Sequence, residues 1–404
     1  VSGQKENFQE IEQSNRPRSW ATLLRLLLKV AGLFLLLNLL FAWLLPLEAL
    51  GAISLYNTFL PGRARLPYGE NPADSYSLSL NNIPAMLASH EISKPPTKDV
   101  FKVLVIGDSG SWGWLQENEE TLAGQINALQ LTTAGGRPVV AYNLAYPIMA
   151  LAKDLLLLDA AICLDTTTCQ EPDLVIWPVT LQSFPMEQQL QPPLVQENPA
   201  RMRALIDEYD LALDPDDGRF VDPGFLQRTI VGQRRALADL LRLQLYGFSW
   251  AATGIDQAYP AELQLRQSDF EPDLSWGDIE EPLLLDESLL ALDILQAGLA
   301  RAEDVPVLIV NEPIFISDGE NSEIRYNAWY PRWAYDSYRD LLEATAAAGG
   351  WHYLDLWEAI EPAEFTDSPV HLTPAGTRQL AQILAPAILE WAGETQSPNV
   401  AQPR

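Results

Sequence analysis

The sequence predicts an α/β protein built on a parallel sheet of five strands. Two observations carry this. Short apolar runs rich in Val, Ile and Leu recur along the chain, each stopped by turn residues. Between most of them lie helical patterns long enough to cross back over a sheet, and strands joined by such crossovers run parallel with right-handed connections. In order, Val100–Ile106 is a strand, Thr121–Leu129 a helix, Val139–Asn143 a strand and Ala150–Ala161 a helix. Leu174–Trp177 is the third strand and Val305–Val310 the fourth, closed by Asn311-Glu312-Pro313. Tyr335–Ala348 is a helix, Trp351–Leu356 the last strand and Pro374–Trp391 the last helix. About 125 residues separate strands three and four, far more than a crossover needs, so an insertion or cap at about 185–300 is expected. Its centre, Phe225–Tyr246, reads as an amphipathic helix carrying both Arg and Leu. Leu241–Trp250 has an apolar face with basic residues just upstream, and three readings stay open for that stretch: packing on the core, a lid, or a surface lying on a bilayer.

The N-terminal part is of another kind. Val30–Leu47 contains no charged residue and extends back through Leu23-Leu24 and Leu26–Leu28, past the ~20 residues a bilayer requires. Arg16, Arg18, Arg25 and Lys29 precede the uncharged run. Positive flanks are retained in the cytoplasm, so the tail 1–21 is expected inside, the helix 22–47 across the membrane and everything beyond it outside. A cleaved signal peptide, with Ala49-Leu-Gly-Ala52 as the nearest approach to a cleavage site, and a buried core helix are the competing readings. Residues 48–98 form an extracytoplasmic connector with a short amphipathic piece, Leu80–His90; 99–394 form the α/β domain; 395–404 are a polar tail.

The net charge is −28, from 54 acidic and 26 basic residues. Nucleic acid is disfavoured as a partner, because phosphate contacts need a basic face. The two cysteines, Cys163 and Cys169, suit a small disulfide loop in an extracytoplasmic domain, with two buried thiols as the alternative. No metal site is expected: no histidine lies near the cysteines, and Asp214-Pro-Asp216-Asp217-Gly218 lacks the glycine and distal Glu spacing of a calcium loop and reads as a turn.

The first strand ends at Gly107-Asp108-Ser109, which puts a small hydroxyl at the carboxyl edge of the sheet, where ligands of open α/β sheets bind. Far along the chain, Asp367-Ser-Pro-Val-His371 puts a carboxylate and an imidazole on one loop ahead of the last helix. Serine, histidine and aspartate brought to one edge can perform acyl transfer. Of the three histidines, His90 precedes the sheet and His352 starts a strand, leaving His371 as the candidate base. Asp108 is read as a cap on the following turn. Asn311 and Glu312 end strand four at the same edge and are candidates for substrate contact. The run Arg325–Tyr335 offers aromatic faces with Arg and Asn donors, suited to a sugar or acyl headgroup or else to a packed loop.

These blocks resemble the SGNH/GDSL hydrolase family over roughly Phe101 to Glu394. The resemblance implies a flavodoxin-like α/β/α sandwich with strand order 2-1-3-4-5, no cofactor, Ser109 as nucleophile, His371 as general base and Asp367 as the orienting acid. The sequence departs from the family in three places. The acid usually stands at the position of Ser368, one residue nearer the histidine. The second block keeps Asn143, but Ala145 and Ile148 stand where glycines with oxyanion-binding N–H groups are expected. The third block lacks its Asn, leaving Thr180, Gln182 or Ser183 to substitute. The resemblance implies a membrane-anchored extracytoplasmic esterase or O-acyltransferase acting on an acyl ester of an envelope glycan or lipid-linked polymer, with a membrane-protein partner in prospect. The alternative is a catalytically reduced binding or assembly subunit.

Overall fold

The computed structural model describes residues 20–45, 49–50, 53–60, 81, 83–88, 90, 92, 99–162, 172–254 and 266–394. Cys163, Cys169, most of the connector and both polar tails lie outside the described residues. The chain divides into two compact units. One holds the N-terminal helix together with Pro223–Asp239; the other holds the sheet.

The described helices of eight residues or more are α1 (Trp20–Leu44), α2 (Leu151–Ala161), α3 (Pro199–Tyr209), α4 (Arg234–Thr253), α5 (Leu292–Ala302), α6 (Arg332–Gly349) and α7 (Pro374–Glu394). The strands are β1 (Phe101–Val105), β2 (Val139–Asn143), β3 (Leu174–Val179), β4 (Val307–Asn311) and β5 (His352–Asp355). All four strand pairings are parallel and the order is β2-β1-β3-β4-β5. This is the flavodoxin-like three-layer sandwich that the resemblance implies.

A parallel sheet covered on both faces needs strands that are apolar on both sides. Every residue of β1, β3 and β4 is accordingly buried, whereas the edge strand β5 is partly exposed. One face, with Leu104, Val175, Trp177 and Ile309, packs against α2, α5 and α6. The other, with Val103, Ile176, Leu308 and Val310, packs against the short helix Leu122–Ala128 and α7. Gly298 on α5 permits the closest of these contacts: a Cβ there would come within 2.3 Å of the buried Trp177 ring.

The strand β3 runs two residues beyond the sequence expectation, through Pro178. Proline cannot donate to a ladder and normally stops a central strand. Here its nitrogen faces the β1 side, and β1 pairs with β3 only as far as Ile176. The missing N–H therefore falls where the neighbouring strand has already turned away. In the insertion, Phe225–Gln233 forms turns where the sequence predicts helix, and α4 begins at Arg234. Helices α3 and α5 were not expected.

α1 is 25 residues long and apolar enough to cross a membrane, with mean hydropathy 2.2 over 18 of its residues. Most of its side chains are exposed; Asn38 and Ala42 are buried.

Candidate active site

β1 delivers the candidate nucleophile, Ser109. Gly107 has φ +130°, which an L side chain rarely adopts, and a Cβ there would lie 2.9 Å from Ser111 Oγ. This sharp exit lets one helical turn, Ser109–Trp112, start directly at the strand end. Asp108 caps that turn, accepting from Gly110 N at 2.8 Å, and left-handed Gly113 closes it. Ser109 is half-buried and first in the turn, and its N–H donates to no group among the described residues.

The candidate base, His371, arrives on the loop between β5 and α7. Phe365 and Leu372 pair across its neck, and Thr366 N donates to His371 O at 2.8 Å. Within this closed loop His371 Nε2 lies 2.9 Å from Ser109 Oγ, and Nδ1 lies 2.9 Å from Asp367 Oδ1. With its proton on Nδ1, the ring donates to the carboxylate and accepts from the serine hydroxyl. The four-residue spacing between Asp367 and His371 is thus absorbed by the loop. Ser368 serves its backbone, accepting at 3.3 Å from both Val370 N and His371 N.

Three further side chains fix this loop, none of them singled out by the sequence. Trp114 donates from Nε1 to Asp367 Oδ2 at 3.2 Å, and its ring stacks on His371 with centroids 5.8 Å apart. Gln116 donates to Leu372 O and Thr377 Oγ1, each at 2.8 Å. Arg266, from the insertion, donates to Phe365 O at 2.9 Å through Nη1 and to Thr366 O at 2.8 Å through its backbone N–H. Single tryptophans, glutamines and arginines in loops carry no periodic signal. Partial burial pushes the Asp367 carboxyl up, but the hydrogen bond and charge of His371 outweigh it and hold the group below the ordinary carboxylate value.

The remaining expected site residues fall elsewhere. Asn143 organises the second-block loop, donating to Trp112 O at 3.1 Å and accepting from Ala145 N at 3.2 Å. The N–H of Ala145 is therefore engaged, and that of Ile148 donates to Tyr146 O at 2.7 Å. Thr180 is fully buried with its hydroxyl 3.0 Å from Tyr330 Oη, which also accepts from Gln182 N at 3.2 Å. Ser183 is buried. Asn311 departs from the expectation of substrate contact: it is fully buried, donates to Asp355 Oδ1 at 2.8 Å, and accepts from Tyr338 Oη at 3.1 Å. The strand ends one residue later than expected, which draws Asn311 into the core.

The Arg325–Tyr335 run is likewise mostly interior. Arg325, Tyr326, Asn327, Tyr330 and Tyr335 are buried, and Arg325 Nη1 donates to Asp273 O at 2.8 Å. The three buried tyrosines supply packing here, while Trp329 and Trp333 are half-buried. Asp214–Gly218 is a turn, with Asp216 N donating to Asp214 Oδ1 at 2.9 Å. His90 is buried, and His352 packs edge-on against Trp391. Among the described residues no group of three His, Cys, Asp or Glu side chains is placed to hold a metal.

Behind the nucleophile turn lies a buried polar group. Lys153 is fully buried and donates to Gly107 O at 2.6 Å, Tyr146 O at 3.0 Å and Asp154 Oδ1 at 2.5 Å. Burial pushes the Asp154 carboxyl up to about 6, with Lys153 acting in the opposite sense. Burial likewise raises Asp108. Glu312 is raised well above the ordinary value, first by burial and then by Asp108 and Asp154. Its Oε1 has no hydrogen-bond partner among the described residues, and a Cβ on Gly110 would lie 3.2 Å from its Oε2.

No protein-family model matches the sequence, and no curated protein matches it. Among solved structures the chain is similar to a carbohydrate acetylesterase from Sinorhizobium meliloti, at 12% identity over 72% of this chain and 98% of that one, with a TM-score of 0.32. It is also similar to the M. smegmatis aryl esterase, at 13% identity over 72% of this chain and 99% of that one, with a TM-score of 0.32.

Proposed function

We propose that this chain is a serine ester hydrolase or O-acyltransferase of the SGNH type. The observation that supports the reading is the continuous contact from Ser109 Oγ through His371 to Asp367, at 2.9 Å in each step. Ser109 attacks an ester carbonyl while His371 Nε2 takes its proton. The tetrahedral intermediate collapses with His371 returning that proton to the departing alcohol, leaving an acyl group on Ser109. Water or an acceptor hydroxyl then attacks the acyl-enzyme, with His371 again as base, and releases the serine. Asp367 keeps the imidazole in the tautomer that accepts from Ser109 and stabilises the imidazolium. The developing oxyanion requires donors, and the N–H of Ser109, which donates to no group among the described residues, suits that role.

The apolar α1, with basic residues before it and an acidic body after it, supports anchoring to a membrane with the α/β domain outside the cytoplasm. An acyl ester of an envelope glycan or lipid-linked polymer is the substrate class that suits such a position. A fluorophosphonate probe tests the chemistry: it should label the intact chain and not the Ser109→Ala variant. Absence of labelling in both would favour the second reading, a binding or assembly subunit. That reading draws on the engagement of Thr180 and of the Ala145 and Ile148 N–H groups, which leaves the side-chain part of the oxyanion site unfilled.

A further inference from the structure

We infer that the insertion segment Pro223–Gln233 is itself embedded in the membrane, at the boundary of headgroups and acyl chains, beside α1. The inference rests on the reading of α1 as a membrane span. Asn38 is the one polar residue in the uncharged run Val30–Leu47. A carboxamide in hydrocarbon is costly unless its donor and acceptor are both paired. Both are: Nδ2 donates to Phe34 O at 2.9 Å, and Oδ1 accepts from Val231 N at 3.2 Å. The partner of the lone asparagine is thus a backbone group of the insertion, within the same compact unit.

The segment has the chemistry that an interfacial position demands. Phe225, Leu226 and Val231 are 55%, 78% and 48% exposed, an apolar set that the protein leaves largely open. Several of its backbone donors are satisfied locally, as backbone in an apolar layer requires. Gly224 N donates to Gln227 Oε1, Arg228 N to Gly224 O, Gly232 N to Thr229 Oγ1 and Gln233 N to Thr229 O. Charge follows the same logic. Pro223–Asp239 carries Arg228, Arg234 and Arg235 against Asp239, net +2, in a chain of net −28. The only strongly basic stretch of the insertion therefore coincides with its exposed apolar residues, which suits anionic phospholipid headgroups over an acyl layer. Depth follows from position. Asn38 lies six residues before the end of α1, so Val231 sits about 9 Å along the helix axis inside that end.

The full chain, with Cys163 and Cys169 replaced by serine, would be reconstituted in phosphatidylcholine–phosphatidylglycerol nanodiscs. A single environment-sensitive fluorophore would be placed at Leu226→Cys, at Leu36→Cys on α1, or at Leu284→Cys as an exposed control. Spin-labelled lipids should quench the probes at positions 36 and 226 and spare that at 284. Quenching at 36 without quenching at 226 would overturn the inference and leave the membrane span standing. Absence of quenching at both would overturn the two together. Quenching at 226 that disappears when phosphatidylglycerol is omitted would support the basic contact as well as the apolar one.

Discussion

Trp114 and His371 hold different oxygens of the Asp367 carboxylate. The indole N–H reaches Asp367 Oδ2 at 3.2 Å while the histidine binds Oδ1. The same indole stacks on the imidazole. One side chain therefore fixes both the carboxylate and the ring it orients. Trp114→Phe removes the N–H and retains an aromatic face. Loss of one exposed hydrogen bond to a carboxylate is worth about 1 kcal/mol, so kcat should fall on the order of fivefold with little change in KM. Steady-state kinetics on a short p-nitrophenyl ester would measure it; an unchanged kcat would show that the loop alone fixes Asp367.

Ser109→Ala should abolish turnover of the same ester and leave thermal melting nearly unchanged. The hydroxyl stands half-exposed at the head of a capped turn, so its removal costs chemistry and little packing. Residual activity equal to the parent would remove Ser109 from the proposed mechanism.

The sheet was largely legible because buried parallel strands leave near-continuous apolar runs, and the runs ending at Asn143, Asn311 and Gly107 mark its edge. The strand through Pro178 was not, because the position of a neighbouring strand decides whether a missing N–H matters. The pairing of Ser109 with His371 was legible from a strand end and a scarce residue type. Lys153, Trp114 and Arg266 were not, since nothing local distinguishes a lysine in an apolar helix, or a single tryptophan or arginine, from the rest of the chain. Asn311 misled for the opposite reason: a polar residue at a strand end is read as facing a ligand, and three neighbours in the core, Asp355, Tyr335 and Tyr338, claim its amide.

Asp367→Asn should lower turnover by several orders of magnitude, since loss of a triad aspartate costs on the order of 10⁴ through the wrong histidine tautomer. Ser368→Ala is the companion variant. It removes an acceptor for two loop N–H groups, so it should cost about 1 kcal/mol of stability and change turnover little. Parallel kinetics and melting of the two variants would separate the orienting acid from the loop cap. Near-normal turnover in Asp367→Asn would place the acid elsewhere or leave a Ser–His dyad.

Glu312 gives a pH dependence of definite sign. Its folded carboxyl titrates well above the unfolded value of 4.5. Below that value both states hold the proton and the group is neutral to stability. Above it the unfolded chain releases a proton that the folded chain keeps, so stability falls as pH rises until the folded carboxyl itself ionises. Glu312→Gln abolishes this titration. Its melting temperature relative to the parent should therefore rise progressively above pH 4.5 and lose that upward trend below it. A difference that does not vary with pH would show that Glu312 is already ionised in the folded chain.

Lys153 joins the nucleophile turn to the second-block loop, because Gly107 O and Tyr146 O share its ammonium while Asp154 neutralises it. Lys153→Met leaves a buried carboxylate without its partner, which destabilises by roughly 3–5 kcal/mol. That loss alone would say nothing about the site. The double variant Lys153→Met/Asp154→Leu removes the charge imbalance and should regain most of the stability, less the hydrogen bond that Trp177 Nε1 makes to Asp154 Oδ2 at 3.3 Å. It does not restore a donor to Gly107 O or Tyr146 O. The exit of β1 toward Ser109 is then less tightly held, and kcat should stay down by about tenfold, the equivalent of about 1.4 kcal/mol in the barrier. Melting and kcat measured on both variants decide the point. Recovery of stability without turnover would assign Lys153 to positioning Ser109, whereas recovery of both would confine it to neutralising Asp154.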